Sequence, residues 1–182
     1  MKKGTTTTVI PLSSIQGEGS KKTTYKKSDS VKYLELLVFE AKRLKYPNFP
    51  VKYLSIDKFR DDTANSLTKC IKSYIQVTGG QCERCSNTGR PIDRTKTFTD
   101  VTGHVRTIGR VEWIPGTGTN GSADLSGTIA GRSVKIEVKL GADRQSKAQC
   151  EYQKAIESAG GLYFIAKDFD SFLNWYHLNF AL

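Results

Sequence analysis

No stretch of the chain approaches the roughly 20 consecutive apolar residues that a membrane helix needs, and this excludes a membrane-embedded protein of the helical kind. The N-terminal MKKGTTTTVIPLSS carries two lysines with no apolar run behind them of secretory-signal length. The expectation is a cytoplasmic protein that is not secreted. Histidine is scarce, with His104 and His177 the only two, and neither lies near enough in sequence to the cysteines to suggest a tetrahedral metal set. Acids are also short, with 18 Asp+Glu against 28 Lys+Arg and a net charge of +10. The excess is uneven. Residues 1–60 hold 13 Lys+Arg and 5 Asp+Glu, whereas residues 61–182 hold 15 and 13. A basic front on a nearly neutral body suits a polyanionic partner, because each phosphate neutralised releases condensed counterions.

The four cysteines are Cys70, Cys82, Cys85 and Cys150. Cys82 and Cys85 form a C-x-x-C, a spacing used by zinc and redox sites. It sits in a strand-like QCERC, whereas a thioredoxin-type motif opens a helix. Cys70 and Cys150 fall inside helical patterns. Buried, reduced thiols are therefore expected.

At 182 residues the chain fits one domain with an appended arm. Residues 1–29 are rich in Thr, Ser, Gly and Lys and have no sustained period, which predicts an arm ordered only against a partner. Leu34, Leu37, Val38, Ala41 and Leu44 recur at helical spacing, with Ser30 as the expected cap and Pro47 and Pro50 as terminators. A linker to about residue 60 follows. A second helix is predicted over 62–77, with Ala64, Leu67, Ile71, Tyr74 and Ile75 as its stripe and Gly79-Gly80 as its stop. A short strand over 81–86 precedes an irregular stretch containing SNTGRPID, and Val111–Ile114 reads as strand. ADLSGTIAG and RSVKIEVKL form a hairpin about Gly131. Residues 146–159 are helical, LYFIA is a buried strand, and Asp168 opens a last helix. The predicted domains are a basic arm and helix over 1–60 and an α/β body over 61–182, built around a small mixed sheet.

The hairpin carries the chemistry. Asp124 stands near the start of its first strand. Glu137 and Lys139 are two apart in the second, so a strand's two-residue period points them to one face and Ile136 and Val138 to the other, buried one. Two carboxylates and an ammonium close together suit phosphodiester cleavage. Hard oxygen ligands hold Mg²⁺ (or Mn²⁺), with the Val138 carbonyl as a further ligand. The ammonium orients or helps deprotonate water and offsets transition-state charge. A bare Glu-x-Lys is common, however, and carries little by itself.

The passage from Gly121 to Tyr176 as a whole resembles a VRR-NUC (virus-type replication-repair nuclease) domain of the PD-(D/E)xK superfamily. The matching features are Gly121, Asp124 and Gly127, then Glu137-Val138-Lys139, then Ser146 and Gln149. The helix ending in Gly160-Gly161, the aromatic-aliphatic strand and the closing Asp-Phe segment complete them. Upstream, Arg84 and Asn87-Thr88-Gly89 resemble the family's arginine and Asn-x-Gly turn. The resemblance spans about residues 62–176, and it rests on order and spacing together. It implies a restriction-endonuclease-like sandwich, metal ligation by Asp124, Glu137 and Val138, catalysis by Asp124, Glu137 and Lys139, and Gln149 at the edge of the site. Many relatives carry a metal-assisting Glu on the first core helix. Here Asn65 stands nearest that position, so Asn65 or Asp62 would replace it or the third ligand is missing. Arg84 and Arg90 are candidates for holding phosphates.

Together these features predict a divalent-metal-dependent DNA endonuclease acting on branched DNA in replication, recombination or repair. A two-fold-symmetric four-way junction would call for a homodimer. The alternative from another class is a catalytically silent DNA-binding module that retains the nuclease fold. A restriction-type enzyme ranks lower, since no segment looks large enough for target recognition.

Overall fold

In the computed structural model, residues 25–86, 89–116 and 118–180 are described. Most of the expected arm over 1–29, and Asn87-Thr88 of the expected turn, lie outside them. Helix α1 (Asp29–Lys45) starts before its expected position, because Ser28 rather than Ser30 is the cap and its hydroxyl accepts from Val31 N–H. Asp29 lies in its first turn and Lys42, Arg43 and Lys45 in its last, each on the favourable end of the helix dipole. Helix α2 (Ala64–Val77) is capped by Thr63, which accepts from Ser66 N–H, and it buries Leu67, Cys70, Ile71, Tyr74 and Ile75. Ala64, expected in that stripe, is exposed in the first turn.

Strand β1 (Gln81–Arg84) follows. The stretch expected to be irregular instead folds into three short strands, β2 (Arg90–Asp93), β3 (Lys96–Thr99) and β4 (Val105–Ile108), and the strand expected at Val111–Ile114 is β5 (Val111–Ile114). β2 pairs antiparallel with β5 and β3 with β4, so residues 90–114 make a two-part hairpin. Most of its residues are exposed. It escapes sequence reading because it has no core side to impose an apolar alternation.

The central sheet has the order β1-β6-β7-β8, with β6 (Leu125–Ile129), β7 (Arg132–Val138) and β8 (Leu162–Ala166). β1, β6 and β7 are mutually antiparallel, and β8 lies parallel to β7. The parallel pair requires a crossover, which α3 (Lys147–Ser158) supplies. Helix α4 (Phe169–Phe180) ends the described chain. The fold is mixed α/β, with helices against both faces of a small mixed sheet.

One face of the sheet presents Leu125, Val134, Ile136, Val138 and Ala166 to α1, α2 and α4. Tyr74 is the hub there, with its ring edge-on to Phe169, Phe172 and Tyr176 at 6.0, 5.9 and 5.0 Å. The boundary expected near residue 60 is not a break in this core, because Val31, Leu34 and Phe59 share the cluster with Leu67, Ile136 and Phe172. Glu35 fastens the segment: its carboxylate is buried and accepts from Phe59 N–H (2.8 Å) and Lys27 Nζ (2.5 Å). Among the described residues, no helix is long and apolar enough to cross a membrane.

Candidate active site

Asp124 immediately precedes β6, and Glu137 is the penultimate residue of β7. The register pairs Leu125 with Ile136, so the two acids meet at the same end of the hairpin. Asp124 straps that end together, because its Oδ2 accepts from Val138 N–H at 2.9 Å. Lys139 lies one residue beyond β7, yet its N–H still donates to the Ala166 carbonyl at 2.9 Å. The strand alternation therefore continues, and Lys139 shares a face with Glu137. Gly121 precedes this strap at a φ of +75°, and a Cβ there would stand 2.4 Å from the Ala148 carbonyl. Only glycine lets the turn before Asp124 seat against the start of α3.

Glu137 is only 2% exposed. Gln149 of α3 stands against its carboxylate, so both sides of β7 are buried here. Lys139 Nζ is 3.3 Å from Glu137 Oε1, which also accepts from Gln149 Nε2. Glu137 Oε2 is buried and, among the described residues, has no hydrogen-bond partner. Burial first, and then the charge of Asp124, push the Glu137 carboxyl above the ordinary glutamate range, and Lys139 and the Asp124 backbone N–H only partly offset them. An orphaned, half-neutralised carboxylate beside a second carboxylate is a deficit of positive charge. A divalent cation removes that deficit, and the oxygen donors suit a hard ion.

Gln149 does more than border the site. It is the third residue of α3, and its side-chain oxygen accepts from Ser146 N–H at 2.9 Å in a capping box. Its amide NH₂ donates to Glu137. The helix cap thus orients the buried acid. Lys139 also pairs with Asp143 Oδ2 at 3.4 Å. Burial alone would lower the lysine's proton affinity, but Glu137 and Asp143 outweigh it and the net shift is upward. Lys139 is held as an ammonium rather than as a base. Beside it opens a cleft of about 390 Å³ lined by Lys139, Arg144, Gln145, Ile165 and Lys167.

Sequence reasoning missed Asp143 and Tyr163. The register sets Tyr163 beside Lys135, on the Glu137 face, with its buried hydroxyl near the Gln145 side chain. Burial first, and then the charge of Glu137, raise its proton affinity. The signal was present in LYFIA, where Tyr163 and Ile165 alternate with Phe164, but without the register its face was undetermined.

The remaining candidates are placed as follows. Arg84 Nη2 donates to Asn65 Oδ1 at 2.7 Å, so the amide oxygen expected to replace a helix acid is taken by the arginine. Asp62 is paired with Arg60 at 2.5 Å. Arg90 lies on the separate β2–β5 ribbon and is exposed. The four cysteines are free. Burial pushes Cys70 up to about 12 and Cys82 up to about 11, so both rest as thiols. Among the described residues, no group of three or more His, Cys, Asp or Glu side chains is arranged to hold a metal. The candidate set has two carboxylates and one carbonyl.

Neither the models of known protein families nor the curated proteins yield a match to this chain.

Proposed function

We propose that the chain is a divalent-metal-dependent DNA endonuclease of the VRR-NUC type, with a restriction-endonuclease-like sandwich as its fold and branched DNA as its substrate. The observation that carries this is Glu137 Oε2, a buried carboxylate oxygen without a partner beside a second acid. Buried polar groups are nearly always satisfied, and an exception calls for an absent ligand. Asp124, Glu137 and the Val138 carbonyl would hold Mg²⁺ or Mn²⁺, which when bound supplies charge neutralisation and polarisation of the phosphate.

The protein's own groups do the rest. Lys139, fixed between Glu137 and Asp143, holds the attacking water by a donated hydrogen bond and faces the charge that grows on phosphate oxygens. As the water oxygen bonds to phosphorus and gives up a proton to solvent, the P–O bond to the departing sugar breaks, and the sugar oxygen takes up a proton from solvent. Gln149 keeps Glu137 aimed from the α3 cap. Arg144 and Lys167 give the adjoining cleft a positive wall for the flanking phosphates. Arg84, held by Asn65, is a phosphate contact of the same kind, and a homodimer would present two such sites to a two-fold junction.

One observation favours the silent-module alternative: Asn65 replaces an acid and its oxygen is already occupied. Cleavage of junctions, flaps, single strands and duplex by the purified protein, with Mg²⁺ or Mn²⁺ against EDTA, separates the two. The expected result is metal-dependent cutting that Asp124→Asn and Glu137→Ala each abolish without loss of fold. Full activity in either variant overturns the site assignment. DNA binding without any cutting by the wild-type protein establishes the silent module.

A further inference from the structure

Arg90, Arg94, Lys96, Arg106 and Arg110 are the five cations of the hairpin over residues 90–114, and all five stand at even positions. The register converts that alternation into a surface. β2–β5 sets Arg90 beside Ile114 and Ile92 beside Glu112, and β3–β4 sets Lys96 beside Ile108 and Phe98 beside Arg106. Cross-strand partners share a face. At the join Arg94 N–H donates to the Arg110 carbonyl at 3.2 Å, so the register runs through both parts. Arg94 Nε reaches Glu112 at 2.9 Å and so lies on the Arg90 side. The opposite face, which includes Pro91, Thr97, Thr107 and Trp113, carries no lysine or arginine. A hairpin that served only as a solvated connection would have no reason to sort its charges.

We propose that this ribbon is an arm that grips the backbone of duplex DNA with its cationic face. A lone two-stranded ribbon is marginal in water, and among the described residues this one pairs with no strand of the central sheet. Its ten-residue strands reach roughly 30 Å at about 3.3 Å per residue, close to one turn of B-DNA. A two-stranded ribbon also fits a major groove about 12 Å wide. Phe98 and Ile108 are 44% and 55% exposed between the cations, giving apolar contact to sugars and thymine methyls. Gly109, at a φ of +90°, lets the strands close up at the join, where a Cβ would stand 2.1 Å from the Arg94 carbonyl.

The chain leaves the central sheet for the ribbon beside Asp124 and re-enters the sheet at Asp124. On the β1 side, Cys85 N–H donates to the Asp124 carbonyl at 2.8 Å. On the β5 side, the chain returns through the Gly121 turn directly into Asp124. A duplex held by the arm is therefore anchored next to Asp124 and Glu137. The proposal rests on the DNA reading of that site, but not on its catalysis.

The test is equilibrium binding of the full chain to a 30-bp duplex in EDTA, over a range of salt. Lys96 and Arg110 form no ion pair among the described residues, so K96Q/R110Q removes two charges and no internal contact. It should reduce the slope of log K against log salt by about 1.8, at roughly 0.9 per phosphate contact. T97Q/T107Q, on the cation-free face, should match the wild type, and Ile108→Lys should steepen the slope by about 0.9. An unchanged slope in both K96Q/R110Q and Ile108→Lys overturns the arm. Loss of self-association in K96Q/R110Q at an unchanged slope also overturns it, and gives the ribbon to a second copy of the chain. Ribbon-dependent binding by a protein that never cuts with Mg²⁺ upholds the arm and overturns only the nuclease. A wild type that does not bind the duplex overturns both.

Discussion

Glu137 is a destabilising residue that the fold retains. Its charge is buried, opposed by Asp124 and left with one unmatched oxygen, and an unsatisfied buried polar atom costs about 1–3 kcal/mol. Glu137→Gln keeps the shape and removes the charge. Without metal it should melt a few degrees higher than the wild type, as a gain of about 1 kcal/mol gives in a chain of this size. Mg²⁺ should raise the wild-type melting temperature and leave that of Glu137→Gln unchanged. A variant that melts lower, or still responds to Mg²⁺, would take Glu137 out of the site. Lys139→Met separates catalysis from binding, since it keeps the apolar stem and loses the ammonium. Single-turnover cleavage at saturating DNA should slow by orders of magnitude while DNA affinity changes little. A near-normal rate there would reduce Lys139 to a phosphate contact.

At the level of elements, α3 works as a lever whose end is the site. None of its residues is fully buried, so the capping box at Ser146 and Gln149 matters more to its position than packing does. Ser146→Ala should cost about 1 kcal/mol of stability, and it should also slow cleavage by freeing Gln149 from its fixed hold on Glu137. Loss of stability with an unchanged rate would show that the cap does not position the acid. On the other side of the sheet, Glu35 ties α1 to Phe59. Burial pushes its carboxyl upward, but the hydrogen bonds from Lys27 and Phe59 outweigh it, and its pKa in the folded protein lies below the ordinary glutamate range. A depressed carboxylate adds stability above its unfolded pKa and loses it as the pH falls through its folded one. Denaturant titrations should therefore show the wild type ahead of Glu35→Gln by about 2 kcal/mol near neutrality. The two curves should converge below about pH 4. A constant gap would assign the difference to packing.

For the whole molecule, the basic front divides into parts with different duties. Residues 1–24 carry four lysines and one glutamate, while Val31, Leu34 and Phe59 belong to the common core. Removing residues 1–24 should leave the melting temperature near the wild-type value, weaken DNA binding and flatten its salt dependence. Removing residues 1–60 strips three buried side chains from the cluster, at about 2–5 kcal/mol for each large one, and should leave no cooperative melt. A folded, active fragment 61–182 would restore the boundary that composition suggested.

What the sequence determined by itself was whatever leaves a local period or cap. The α2 stripe from Leu67 onward, the stop at Gly79-Gly80, the hairpin about Gly131 and the helix from Ser146 were all legible, because neighbours in sequence decide them. So was the adjacency of Asp124, Glu137 and Lys139, which needs only a two-residue period and one tight turn. Tertiary structure decided the rest. Whether α1 is arm or core depends on Leu34 joining the cluster that holds Leu67, which α1's own spacing cannot report. How deeply Glu137 is buried was decided only when α3 crossed over it, and the crossover brought Tyr163 in by register with Lys135. Apart from the strand at Val111–Ile114, the ribbon over 90–114 stayed hidden because sequence patterns report burial, and its cross-strand pairs have no core to face.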